Sequence, residues 1–493
     1  SGDHRDLHSF PTRRSSDPVN QLFGIQSQLP NLLSQTQQVN DATDAENYLA
    51  RLALFPRKFD EVIESLKVRE SRKIIPPKFA VEKVAEQLKD FLATGTAGNV
   101  LVVSFKAKLE KIPADKMTPA AREALVKRAE EHVTAHVLPA YSKLAAYIES
   151  LRAKALTNDG AWSLPDGEQY YQHQVEAHTT TKMNAVELHQ IGLQEVARIG
   201  AEMDAILEQE GYKQPTRAAR LAALSKAPSQ LYPDSDAGRA QVLKDYQAII
   251  DEMAAGLDPW FGAKPKAKVV VERVPAIAEK SSAFAYYNAA PFDGSKPAVF
   301  FVNLRKVDEV VKFNMRSLAY HEAIPGHHLQ IAIAQELEGL PIFRNVIPFT
   351  AYSEGWALYA EQLAWEAGFQ KNPLDNLGRL QYEMFRAVRL VVDTGIHAQR
   401  WTREKAIDYM LANTGMTEAE VIVEIERYFV MPGQALAYKV GMMKILQLRD
   451  KAKQALGTKF DIRDFHDAVL KNGGMPLDVL ERVVNDYIAG KKG

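Results

Sequence analysis

The sequence predicts a mainly α fold, a large helical body that carries one small antiparallel sheet of about three strands. Three observations lead there. Apolar residues recur at three- and four-residue spacing through long segments on both sides of the chain's middle, the period of helices that bury one face. Strand signals are confined to residues 268–304. The composition, 46% hydrophobic and 25% charged over 493 residues, suits a globular chain with a sizeable core and excludes disorder along its whole length.

Taken in order, residues Gly2 to Asp17 read GDHRDLHSFPTRRSSD. This string resembles the conceptual translation of a sequencing adaptor, so residues 1–17 are expected to be non-native and are set apart from the fold. Residues 18–493 then read as one large domain. Residues 41–256 form its first helical part. AENYLARLALFPRKFDEVIESLKV and AREALVKRAEEHVTAHVLPAYSKLAAYIESL are amphipathic at helical spacing, and NAVELHQIGLQEVARIGAEM opens with Asn184 as N-cap and Glu187 three residues on. KVVVERVP (268–275), AFAYYN (283–288) and PAVFFVNL (297–304) are short, β-branched or aromatic. PFDGSKP supplies a turn between the last two. Residues 314–488 return to helix.

The same composition removes several function classes. Sixty-one Lys and Arg against 62 Asp and Glu give a net charge of -1, with no general pull toward nucleic acid or anionic membrane. With no cysteine, disulfides, zinc thiolates, iron–sulfur clusters and thiol nucleophiles are excluded. No run approaches the ~18–20 apolar residues of a membrane-spanning helix. Exported, periplasmic and cytoplasmic locations all stay open, as does the oligomeric state.

Chemistry concentrates in 314–361. His321-Glu322 is followed by Pro325-Gly326-His327-His328. Imidazoles and a carboxylate this close on a helix suggest a divalent zinc ion. In the His-Glu-x-x-His pattern two ligands stand one turn apart, and the Glu is general base toward the catalytic water. Here the second His comes six or seven positions on. An unbroken helix puts His328 on the His321 face but about 10 Å further along the axis. A bulge at Pro325-Gly326 would instead return His327 to the vacant position. At this level His327 and His328 both stand as second ligand. Two histidines at a kink can equally cap carbonyls. What favours a metal is Glu354, 27 residues after His327 in TAYSEGWALYAEQLAWE, at the spacing of the third ligand in gluzincins. Taken alone, Glu354 would read as a solvated first-turn carboxylate.

HEAIPGHHLQ, SEGWALYAEQL, RLVVDTGIH and PGQALAYKVG together resemble a bacterial family of unknown function numbered 885, over about residues 41–488. That family in turn resembles the helical zinc metallopeptidases of the carboxypeptidase Taq, thimet oligopeptidase and angiotensin-converting enzyme group. The resemblance implies a metallopeptidase-like helical fold with a deep channel and a small sheet over the zinc helix. Its Gly-His order favours His327 over His328. It also implies that a late Tyr, here Tyr438, meets the scissile carbonyl.

The remaining candidates come from two helical stretches and a strand end. In 377–397, Tyr382, Arg386, Arg389, Asp393 and His397 share one face opposite an apolar stripe. Such a face is either solvated or the polar wall of a channel, with Asp393 placed to hold an imidazole or pair with an Arg. Gln434, Tyr438 and Lys439 follow Pro432-Gly433, and Asn303 ends the third strand. The expected site is therefore one zinc ion on His321, His327 and Glu354, with Glu322 as base and Tyr438 and His397 as catalytic partners. Asn303, Arg386, Arg389, Gln434 and Lys439 are the substrate-binding candidates, and Arg386, Arg389 or Lys439 would take a terminal carboxylate. The expected function is a zinc-dependent peptidase acting on short peptides. The alternatives are a zinc hydrolase of a non-peptide amide or ester, and a non-catalytic helical binding protein with a vestigial site.

Overall fold

The computed structural model describes residues 19–275, 279, 282–341, 344, 347 and 349–492. The adaptor-like string Gly2–Asp17 lies outside the described residues. Helix makes up 69% and strand 3%, so the protein is mainly α. The described residues form two compact units, one within Arg13–Gly167 and one within Glu168–Gly493.

The first unit is a set of helices at Ala42–Ala53, Phe55–Ser71, Lys78–Ala93, Val100–Glu110, Pro119–His132 and Leu138–Arg152. Their apolar stripes converge on one core that includes Tyr48, Phe59, Phe105 and Tyr141. Tyr48 stacks on Phe105 with ring centroids 4.4 Å apart, and its hydroxyl donates to the Leu101 carbonyl at 2.8 Å. A buried phenol that finds an acceptor avoids the cost of desolvating its hydroxyl.

The second unit holds the motifs. Its site-building helices are α1 (Ala185–Gln209), α2 (Asp236–Ala255), α3 (Lys312–Glu322), α4 (His327–Gln335), α5 (Thr350–Glu366), α6 (Pro373–Ala398), α7 (Glu418–Val430) and α8 (Ala437–Leu456). Asn184 caps α1 in a full capping box with Glu187, as the sequence indicated. Helix α6 packs against α1 and α3, and α5 against α3, α4 and α8. Helices α5 and α6 are buried almost all round, so the polar stripe of α6 faces protein rather than bulk water.

The three strands are β1 (Val269–Arg273), β2 (Ala285–Asn288) and β3 (Ala298–Val302). The antiparallel sheet expected from sequence is instead mixed. β3 is central, antiparallel to β2 and parallel to β1. The short turn after β2 allows only an antiparallel neighbour. The longer connection after β1 carries the chain to the far edge of β3, where β1 runs the same way as β3. Alternate residues Ala298, Phe300 and Val302 of β3 are buried. Phe300 meets Tyr246 of α2 edge-on at 5.2 Å, so the sheet rests on that helix.

Candidate metal centre

The centre is built where one helix stops and another starts. Helix α3 ends at Glu322 and α4 begins at His327. The break between them contains a cis Ile324-Pro325 peptide. Ala323 leaves helical geometry at φ -111°, ψ -105°, and the His328 N–H reaches back to the Ala323 carbonyl at 3.1 Å. Gly326 is needed for this path. A Cβ there would sit 2.0 Å from the His321 carbonyl oxygen and 2.3 Å from that of Tyr320. From α5, the Trp356 indole N–H donates to the Pro325 carbonyl at 2.9 Å. The same helix that carries Glu354 thereby holds the break.

The break brings His321 and His327 together. Their rings lie edge to face at 4.9 Å and 87°. His321 Nε2 is 3.5 Å, and His327 Nε2 3.4 Å, from the same Glu354 Oε2. Ligand atoms of His321, His327 and Glu354 all lie within 4.8 Å of one another, and all three residues are buried. Two ligands about 2.0–2.2 Å from one tetrahedral ion stand roughly 3.3–3.6 Å apart. The donor set, two imidazole nitrogens and a carboxylate, therefore fits zinc in both chemistry and spacing.

His328 points elsewhere. Its Nε2–H donates to the Ala267 carbonyl and its Nδ1 accepts from the Tyr287 hydroxyl of β2, both at 3.0 Å. Burial pushes its pKa down to about 4, so it is a neutral tie between α4 and the sheet.

Sequence reasoning passed over Glu361. His321 Nδ1 lies 2.7 Å from Glu361 Oε1, which orients the ring and turns Nε2 toward Glu354. The available signal was position: Glu361 stands seven residues, two turns, after Glu354 on α5. Burial opposes a charge on His321, yet Glu354 and Glu361 outweigh it and lift its pKa to about 9. The pocket thus stabilises positive charge, which a bound cation would supply. Helix α5 starts at Thr350, so Glu354 lies inside the helix and not in a solvated first turn.

Glu322 adjoins the cluster and, unlike the three ligand candidates, is partly exposed. Desolvation raises its pKa, with His321 and His327 opposing and Glu354 adding to the rise. Tyr438, on α8, is also partly exposed. Its pKa rises through burial first and through the nearby Glu354 second. Gln434 accepts from Arg427 at 2.6 Å and, close to Tyr438, opposes the rise of its pKa. Arg389 stacks on Phe385 at 4.0 Å and Tyr438 at 4.5 Å while pairing with Glu424 at 3.0 Å.

Several of the remaining candidates have partners away from the cluster. Asn303 donates its amide to the Glu279 and Ser282 carbonyls at 2.7 and 3.2 Å, which ties the end of β3 to that loop. Lys439 is held by Glu383 at 2.6 Å and Glu195 at 2.8 Å, which neutralise it for a substrate carboxylate. His397 donates to the Tyr428 carbonyl of α7 at 3.0 Å and lies against Tyr171 and Phe429. Among the described residues, Asp393 holds neither an imidazole nor an Arg. It accepts from the Tyr171 hydroxyl at 2.6 Å and the Gly433 N–H at 3.0 Å.

The model of a family described as "Bacterial protein of unknown function (DUF885)" matches residues 4–484, and the chain belongs to that family. A crystal structure described as that of "the putative lipoprotein from Colwellia psychrerythraea" is similar at 40% identity and a TM-score of 0.91, covering 97% of this chain and 81% of that one. A second, of "a putative lipoprotein of unknown function from Shewanella oneidensis", has a TM-score of 0.74 at 20% identity, covering 96% of this chain and 84% of that one. That second likeness speaks for the fold alone. No curated protein matches the chain.

Proposed function

We propose that this DUF885 protein is a zinc-dependent metallohydrolase that cleaves short peptides. The observation that carries the reading is the convergence of His321, His327 and Glu354 at ligand spacing with a partly exposed carboxylate, Glu322, beside them. His321, His327 and Glu354 would hold one zinc ion, which supplies a Lewis acid that acidifies water and polarises a carbonyl. Glu322 takes a proton from the attacking water and returns it to the leaving amine. Tyr438 donates its phenolic hydrogen to the oxygen that gains charge as the carbonyl becomes tetrahedral. Glu361 keeps His321 in its ligating tautomer. A purely structural zinc site has no need of a carboxylate base, and the retained Glu322 therefore favours catalysis over a vestigial site. The helical metallopeptidase likeness read from the sequence motifs points the same way. The lipoprotein description of the Colwellia relative supports an exported location.

Metal analysis of the purified protein, coupled to digestion of a peptide library, tests this. One zinc per chain and chelator-sensitive cleavage are expected. Zinc with turnover only of non-peptide amides or esters would redirect the substrate class. No bound zinc would overturn the reading.

A further inference from the structure

Most charged side chains inside the second unit have partners. Lys439 meets Glu383 and Glu195, Arg389 and Arg427 meet Glu424, and Arg379 meets Glu383. Arg386 differs. It is 6% exposed, and among the described residues it has no ion pair. Its one protein hydrogen bond runs to the Tyr382 carbonyl at 3.3 Å, and its buried Nε has no acceptor. In place of carboxylates it has aromatic faces, Tyr382 at 5.0 Å, Phe385 at 5.2 Å and Tyr438 at 5.9 Å. Burying a guanidinium without a counter-charge is costly, and cation–π contact repays only part of that cost.

Its position supplies the second half of the argument. Tyr438 carries one of those aromatic faces. The charge of Arg386 also reaches His321 and Glu322, so the guanidinium belongs to the neighbourhood of the metal cluster. Tyr382, Phe385, Tyr438 and Glu322 are each partly exposed, although Glu383, Met384 and Arg386 beside the first two are buried. Each of these four residues keeps accessible surface, and the buried, uncompensated fork of N–H donors of Arg386 lies against the rings of three of them. Such a fork matches a carboxylate, which it binds through paired hydrogen bonds.

Resting on the hydrolase reading, we infer that Arg386 is the receptor for a free carboxylate on the substrate. The substrate class is then a peptide with its C-terminal carboxylate near the scissile bond. Of the three cations that the sequence offers for this task, Arg386 is the one without a carboxylate of its own.

The test uses 3-phenylpropionate and its neutral amide, 3-phenylpropanamide, as probes that suit an aromatic-lined cationic site. Their binding is measured calorimetrically on chelator-treated full-length protein, so that zinc cannot be the partner of the carboxylate. The acid should bind about ten- to a hundredfold more tightly than the amide. Arg386→Gln should abolish that preference, and Arg386→Lys should keep part of it with its melting temperature intact. In parallel, zinc-loaded wild-type protein is given one peptide library with free C-termini and the same library amidated. Preferential cleavage of the free acids is expected. Equal binding of acid and amide, or a preference unchanged in Arg386→Gln, would overturn the inference. Should Arg386→Gln fail to fold, the wild-type acid-to-amide ratio still decides. Equal cleavage of both libraries would remove the carboxylate receptor while leaving the hydrolase. An acid preference in binding without cleavage of either library would do the reverse.

Discussion

His321 Nδ1 and Glu361 Oε1 stand 2.7 Å apart in a fully buried pair. The contact turns the other ring nitrogen of His321 toward Glu354 on α5. A carboxylate behind an imidazole raises its basicity and fixes its tautomer. Glu361→Gln should therefore leave the fold intact and weaken zinc binding about 10–100-fold, as read by competition with a chromogenic chelator. Unchanged affinity would show that the pair serves packing alone.

The two adjacent histidines separate by partner. His327→Ala should lose zinc. His328→Ala should keep it while lowering the melting temperature, because the Tyr287 hydroxyl and the Ala267 carbonyl lose a shared buried partner. Each group left unsatisfied costs about 1–3 kcal/mol. Zinc content and thermal melts of the two variants decide the assignment, and zinc loss in His328→Ala alone would reverse it.

Glu322→Gln should retain zinc and lose ~10²–10⁴-fold or more in turnover, since an amide cannot accept a proton from water. Metal loss in this variant would make Glu322 a ligand, and the proposed base would have to be sought elsewhere.

Close helix packing holds Glu354 in place. Gly441 of α8 lies so near α5 that a Cβ would stand 1.8 Å from the Ala351 carbonyl, and one on Gly355 would stand 2.4 Å from Gly441 itself. Gly441→Ala should cost about 1–3 kcal/mol through overpacking. Because α5 carries both Glu354 and Glu361, zinc affinity should fall with it. Chemical denaturation and chelator competition measure the two effects, and an unperturbed variant would refute the close crossing.

Acid sensitivity has a named source away from the candidate metal centre. His466 donates from Nδ1 to the Trp260 carbonyl and accepts at Nε2 from the Tyr359 hydroxyl, both at 2.7 Å. Burial lowers its pKa to about 4, with nearby Arg449 lowering it further and Asp467 and Glu366 opposing. The folded protein thus prefers the neutral ring, whereas the unfolded chain titrates near ~6.5. Its contribution is complete above ~6.5 and is lost as pH falls toward 4. The slope is about 1.4 kcal/mol per pH unit. His466→Phe should flatten the stability-versus-pH curve by one proton across that window, as followed by urea denaturation. An unchanged slope would place the titration elsewhere.

The sequence by itself determined what depends on local period and spacing. Helical repeats placed α1 and the later helices, and the β-branched runs located all three strands. His321-Glu322 and Glu354 stood out because their separations match the turns of two neighbouring helices. Tertiary structure alone decided what depends on non-local partners. The order of strands follows from which edge of β3 the chain reaches after β1. That His327 and not His328 joins the cluster was signalled in the sequence by Pro325-Gly326, while the path that achieves it, with the backbone leaving the helix at Ala323, is visible only in the fold. Arg389 and Lys439 are occupied while Arg386 is not, because Glu424, Glu383 and Glu195 approach from 35, 56 and 244 residues away in sequence. A side chain's period on its own helix says which way it faces. Its charge partner, and hence what it has left to bind, is set by the elements that fold against it.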